Sequence, residues 1–152
     1  MKIGLISDTH DNLPLIKRAV EFFNERKVEL VLHAGDFVAP FSLKPLKELQ
    51  SPWRGVFGNN DGERKGLLKA SGGKIEEGPL FLELDSKKIA LIHEFQELPA
   101  EVIIFGHTHL PQVERQENTL IVNPGEACGW LSGKPTVAIL DTLSLSADIF
   151  PL

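Results

Sequence analysis

The sequence predicts an α/β fold in which two sheets pack face to face with helices outside, and three observations carry that prediction. Short β-branched or apolar runs alternate with stretches of helical period in the first half, whereas the second half is nearly all short strands separated by turns. The length, 152 residues at 42% apolar and 24% charged, suits one domain spanning 1–152, and such a chain can bury roughly 70% of its unfolded surface.

Lys2 to Ser7 reads as the first strand. Asn12 can cap a helix whose apolar residues Leu13, Ile16, Val20 and Phe23 recur at spacings of three and four, and Pro14 fits its first turn. Glu29 to His33 gives a second strand, Ser42 to Gln50 a short helix presenting Leu43, Leu46 and Leu49, and Trp53 to Phe57 a third strand. A further helix over Glu63 to Ser71 is stopped by Gly72-Gly73. Beyond it, Leu80 to Leu84, Lys88 to Ile92 and Val102 to Phe105 read as strands. Gln112 to Arg115 with Leu120 to Asn123 reads as a hairpin, and Thr136 to Leu140 with Leu145 to Phe150 as another around Asp141-Thr142.

The chemistry lies immediately after the strands. Five of them end in residues able to hold a metal: Asp8-Thr9-His10, Gly35-Asp36, Gly58-Asn59-Asn60-Asp61, His93-Glu94 and Gly106-His107-Thr108-His109. In open α/β sheets the loops at the carboxyl ends of strands converge on ligands, so these five can meet. Imidazole, carboxylate and amide oxygen together suit manganese, nickel, iron, zinc or cobalt rather than calcium or a thiolate metal. Seven residues, Asp8, His10, Asp36, Asn59, His93, His107 and His109, supply enough bonds for two divalent transition-metal ions if one carboxylate, for which Asp36 is the candidate, bridges both. Four of the five histidines fall in these motifs, and the fifth, His33, reads as structural or as support for a ligand.

The ordered series Asp-x-His, Gly-Asp, Gly-Asn-Asn-Asp, His and Gly-His-Thr-His resembles the calcineurin-like metallophosphoesterases, nearest to their small single-domain prokaryotic phosphodiesterases. That resemblance implies a four-layer α-β-β-α sandwich of two mixed sheets flanked by helices. It places Asp8, His10, Asp36 and His109 on one metal, and Asp36, Asn59, His93 and His107 on the other, with manganese the expected ion. It further implies hydrolysis of a small phosphate ester, most naturally a diester, by attack of a metal-bridging hydroxide. Two divalent cations set against Asp8 and Asp36 leave an excess of about +2 to draw the phosphate.

Three departures bear on the site. Asn60 stands where many relatives carry histidine; it can donate a hydrogen bond but cannot act as a general acid, so substrates with good leaving groups suffer least. Glu94 replaces a glycine, and only twelve residues, Glu94 to Phe105, separate His93 from Gly106, leaving little room for a helix.

Composition narrows the remaining classes. A net charge of -5 provides no basic groove, which argues against a nuclease and leaves a small phosphate ester, as monoester or diester, the expected partner. A non-catalytic protein-interaction scaffold of the same fold is the other alternative, and the complete ligand set counts against it. The single cysteine, Cys128, permits no intrachain disulfide and reads as a packed residue. Asp61 reads either as orienting a site group or, more naturally, as a cap for the following helix. The apolar run Ile3 to Ile6 is too brief for a signal peptide or membrane span, so a cytoplasmic location is expected, and a homo-oligomer is compatible with the sequence.

Overall fold

The computed structural model describes residues 1–152 as two mixed sheets with helical segments packed against one of them. In chain order, β1 (Lys2–Ile6) leads to α1 (Leu13–Glu25), β2 (Leu30–His33), two 3-10 turns (Pro40–Leu43 and Pro45–Glu48), β3 (Trp53–Val56), α2 (Arg64–Ser71) and β4 (Ile75–Glu76). The strands β5 (Leu80–Leu84), β6 (Lys87–Leu91), β7 (Val102–Ile104), β8 (Pro111–Gln116), β9 (Thr119–Pro124), β10 (Thr136–Asp141) and β11 (Ser146–Pro151) follow. The first sheet runs β11-β10-β1-β2-β3-β4, with β1 to β4 parallel, and the second runs β5-β6-β7-β9-β8, with β6, β7 and β9 parallel.

Alternation along the strands builds the layers. Ile3 and Leu5 of β1 point between the sheets, where they meet Ile89, Leu91, Ile104 and Val122; Ile6 and Val31 point the other way, onto Ile16, Val20 and Phe23 of α1. Truncating a fully buried residue such as Leu5 or Leu32 to alanine would cost about 2 to 5 kcal/mol. No helix is long and apolar enough to cross a membrane.

Three details differ from the sequence reading. The helix expected over Ser42 to Gln50 is instead the two 3-10 turns, because Pro45 sits inside the run, lacks an N–H and clashes with the preceding turn. Leu43 and Leu46 are nonetheless buried. Strand β4, two residues pairing with the end of β3, is too short to leave a periodic signal. Finally, helices flank only the first sheet. On the second sheet's outer face, Ala90, Ile92, Ile103, Phe105 and Ile121 are covered by Leu98 and Ala100 from the loop 94–101, so the fourth layer is loop rather than helix.

This arrangement puts the carboxyl ends of the parallel strands β1, β2, β3, β6 and β7 at one end of the sandwich. Main-chain bonds then tie their loops together. Asp8 N–H donates to Gly35 O at 3.0 Å, Thr9 N–H to Asp36 O at 3.1 Å, and Gly106 N–H to His93 O at 3.0 Å.

Candidate metal centre

Five of the seven residues picked out as ligands sit in the left-handed backbone region: Asp8 (φ 51°), His10 (36°), Asp36 (61°), His107 (65°) and His109 (63°). Such residues cost on the order of 1 to 3 kcal/mol each unless the surroundings over-determine them, and they gather at functional sites. Here each turns a side chain out of its strand direction toward a common point. Two glycines make the approach close enough: a Cβ on Gly58 would collide with Asp36 Oδ1, and one on Gly106 with Ser7 Oγ and Asp8 Oδ2.

One half of the cluster is Asp8, His10, Asp36 and His109, whose ligand atoms all lie within 4.8 Å of one another. Asp8 Oδ2 is fixed by the Ser7 hydroxyl and by His107 N–H at 3.1 Å. Its other oxygen, Oδ1, faces His109 Nε2 at 3.4 Å and His10 Nε2 at 3.7 Å. Both Asp8 Oδ1 and His10 Nε2 are buried with no hydrogen-bond partner. Their only charged neighbours are the looser ion-pair contacts at 3.3 to 3.7 Å, so part of the usual desolvation cost of about 1 to 3 kcal/mol per atom is left over, and a cation between them would satisfy both.

The other half is Asn59, His93 and His107. Asn59 Oδ1 lies 2.8 Å from His93 Nε2 and 3.1 Å from His107 Nδ1. Asp36 joins the halves through one oxygen: Oδ2 lies 3.3 Å from His10 Nε2 and 3.5 Å from His93 Nε2. Asn60 clamps that carboxylate, its main-chain N–H donating to Oδ1 at 2.9 Å and its side-chain amide to Oδ2 at 2.8 Å.

The electrostatics follow from this crowding. Burial works against the Asp36 carboxylate, but His10 and Asn60 outweigh it and hold its pKa well below the usual range. Asp36 and Asp8 in turn lift His10 to about 9. His33, fully buried, is pushed down to about 3, so it is neutral. Gly35 N–H donates to its Nδ1 at 3.1 Å, so Nε2 carries the proton and donates to Thr9 Oγ1 at 3.0 Å, while its ring stacks on Phe37 with centroids 3.7 Å apart. It supports the loops rather than reaching the cluster.

Two acidic residues do more than their sequence context suggested. Asp61 caps no helix; its carboxylate accepts from Asp36 N–H (3.0 Å), Gly58 N–H (2.7 Å) and Val38 N–H (2.8 Å), clamping two site loops together and holding Val38 at φ 84°. Glu126, which the sequence reading passed over, is fully buried and accepts from His109 Nδ1 at 2.6 Å. Burial pushes its carboxyl up, but His109, Ser132 and Leu131 hold it at about 2. Its one sequence signal is an acid set among the small residues Gly125, Ala127, Cys128 and Gly129. Cys128 is buried and its thiol pushed up to about 12, which makes it a packed residue and no nucleophile.

Residues 1–144 match the calcineurin-like phosphoesterase superfamily domain. The chain belongs to that superfamily. Among its relatives is phosphodiesterase MJ0936 of Methanocaldococcus jannaschii, 41% identical over 155 aligned positions that cover 93% of each chain. Phosphodiesterase YfcE of Escherichia coli is 25% identical, with 96% of this chain and 90% of YfcE covered. A solved structure described as a novel archaeal phosphodiesterase superposes with a TM-score of 0.92 at 38% identity over the whole of both chains. Members of the superfamily are hydrolases of ester bonds and bind divalent metals, and the donor set of oxygen and imidazole nitrogen at these strand ends fits such ions.

Proposed function

We propose that this member of the superfamily hydrolyses phosphodiester bonds of a small phosphate ester, using two divalent transition-metal ions, manganese being the expected one. Asp8, His10, Asp36 and His109 would hold one ion, and Asp36, Asn59, His93 and His107 the other. The observation that carries this reading is the pair of unpartnered buried atoms, Asp8 Oδ1 and His10 Nε2, beside an Asp36 oxygen that faces histidines of both halves. When bound, the ions supply positive charge for the phosphoryl oxygens and make an attacking water more acidic.

The chain's own residues do the rest. Ser7 and His107 N–H orient Asp8, and Asn60 holds Asp36 while leaving its shared oxygen turned toward His10 and His93. Asn60 is exposed at the mouth and offers an amide N–H to a phosphoryl oxygen, but no proton for a leaving alkoxide. Esters with acidic leaving groups are therefore the favoured substrates. The net charge of -5 supports a small molecule over a polynucleotide, and the single cysteine suits the cytoplasm.

The test is removal and return of metal. Protein stripped with chelator should lose hydrolysis of bis(p-nitrophenyl) phosphate and regain it with Mn²⁺. Absence of turnover with every divalent transition metal would overturn the reading in favour of a non-catalytic scaffold.

A further inference from the structure

A fully buried carboxylate is tolerated only when its oxygens are matched, so the partners of Glu126 state its purpose. Oε1 accepts from Leu131 N–H at 3.1 Å and from Ser132 N–H. Oε2 accepts from His109 Nδ1 at 2.6 Å, with the Cys128 thiol at 3.4 Å and Leu131 N–H at 3.3 Å. The main-chain donors pin the carboxylate in place and leave the shortest contact of Oε2 to a histidine. The segment carrying it is independently fastened to the β1 loop: Ala127 N–H donates to Ser7 O at 2.9 Å, Cys128 N–H to Asp8 O at 3.1 Å, and Trp130 Nε1 to His10 O at 3.1 Å.

A neutral imidazole that donates its Nδ1–H to a carboxylate keeps its lone pair on Nε2. In His109 that Nε2 lies 3.4 Å from the unpartnered Asp8 Oδ1. We propose that Glu126 is a positioning residue: it holds His109 in the Nδ1-protonated tautomer with Nε2 aimed at Asp8, and so sets the metal affinity of the Asp8-His10-Asp36-His109 site.

The neighbouring histidine shows the contrast. The far nitrogen of His107 has only Glu94 Oε1 at 3.9 Å, and both side chains are substantially exposed, so no buried carboxylate braces that ring from behind. His109, Glu126 and Cys128 could alternatively be taken for a separate three-ligand metal site. The geometry opposes this, because both oxygens of Glu126 already accept main-chain N–H groups and its distance to His109 is that of a charge-assisted hydrogen bond.

The proposal rests on the metal-centre reading, and its test separates the two. Stepwise dissociation constants for Mn²⁺ are measured by chelator competition on stripped wild-type protein and on Glu126→Gln, whose loop retains its ties to Ser7, Asp8 and His10. The tighter constant, that of the buried half with two carboxylates, should weaken about 10- to 100-fold, the usual consequence of removing the partner of a ligating histidine, while the weaker constant moves less. Two unchanged constants in folded Glu126→Gln overturn the role of Glu126 alone; failure of the wild type to bind two ions overturns the metal centre itself. Should the variant not fold, imidazole ¹⁵N shifts of the zinc-loaded wild type decide the matter. A protonated Nδ1 on His109 is expected, and a protonated Nε2 refutes the assignment.

Discussion

The two halves of the cluster share Asp36 and otherwise differ in charge, burial and bracing. On one side, Asp8 is fully buried, the His10 and His109 side chains are 19% and 16% exposed, and the far nitrogen of His109 is locked by Glu126. On the other side, no carboxylate contributes beyond the shared one, Asn59 is exposed, and His107 is 43% exposed with its far nitrogen free of any close partner. Only His93 is braced there, its Nδ1 lying 2.7 Å from Ala34 O. Two carboxylates in a buried, pre-aimed set attract a dication more strongly than one carboxylate with neutral ligands at a wet rim. With two ions bound as proposed, one half would serve retention and the other exchange, and substrate would enter over the looser half.

The largest effect should come from the residue common to both. Asp36→Ala deletes the oxygen that faces His10 and His93 and should reduce bound metal from two equivalents to nearly none. Loss of several kcal/mol of charge stabilisation corresponds to roughly a thousandfold or greater fall in diester hydrolysis. Metal analysis of the purified variant checks this, and two retained ions would show that Asp36 is no bridge.

A smaller, unequal effect is expected from the two histidines of the Gly-His-Thr-His turn. His107→Ala should keep about one equivalent of metal, held by the buried half, whereas His109→Ala should weaken the tighter constant and leave neither ion firmly held. Equal losses in a titration of both variants would break the proposed asymmetry.

How far the sequence foretold this depends on the range of the interaction concerned. Strand ends were legible because the continuous apolar runs of β1, β2 and β7 give way to glycine and polar residues, and parallel strands deliver those residues to one end of the sheet. Local steric rules also transfer: Gly72 ends α2 in the left-handed conformation at φ 64°, as its position implied. Pro45 carried the opposite signal, and the leucine spacing over Ser42 to Gln50 masked it. Glu126 was illegible, and the site role of Asp61 ranked below helix capping, for a different reason. Their roles are defined by which N–H groups arrive from elsewhere, Asp36 from 25 residues away in one case and His109 from 17 in the other, and no spacing rule encodes those meetings. The missing helix over the second sheet was foreshadowed by the short span between His93 and Gly106, but the way Leu98 and Ala100 cover that face was not.

The mildest effect is a pH dependence of the tighter half. Asp36 and Asp8 raise His10 to about 9 in the metal-free chain, against roughly 6.5 when unfolded. The ion pair therefore stabilises the metal-free fold fully below about pH 6.5, and that contribution is lost as pH rises through about 9. A metal ion needs the same nitrogen unprotonated, so its apparent affinity should rise about tenfold per pH unit between those limits. At fixed free metal, each tenfold gain adds about 1.4 kcal/mol to the loaded state. For a domain of this size that widens the gap in melting temperature between loaded and stripped protein by about 3 to 5 °C per pH unit. Calorimetric melts at pH 7 and pH 8, with and without metal, measure the gap, and a constant gap would remove His10 from the ligand set while leaving the other half untouched.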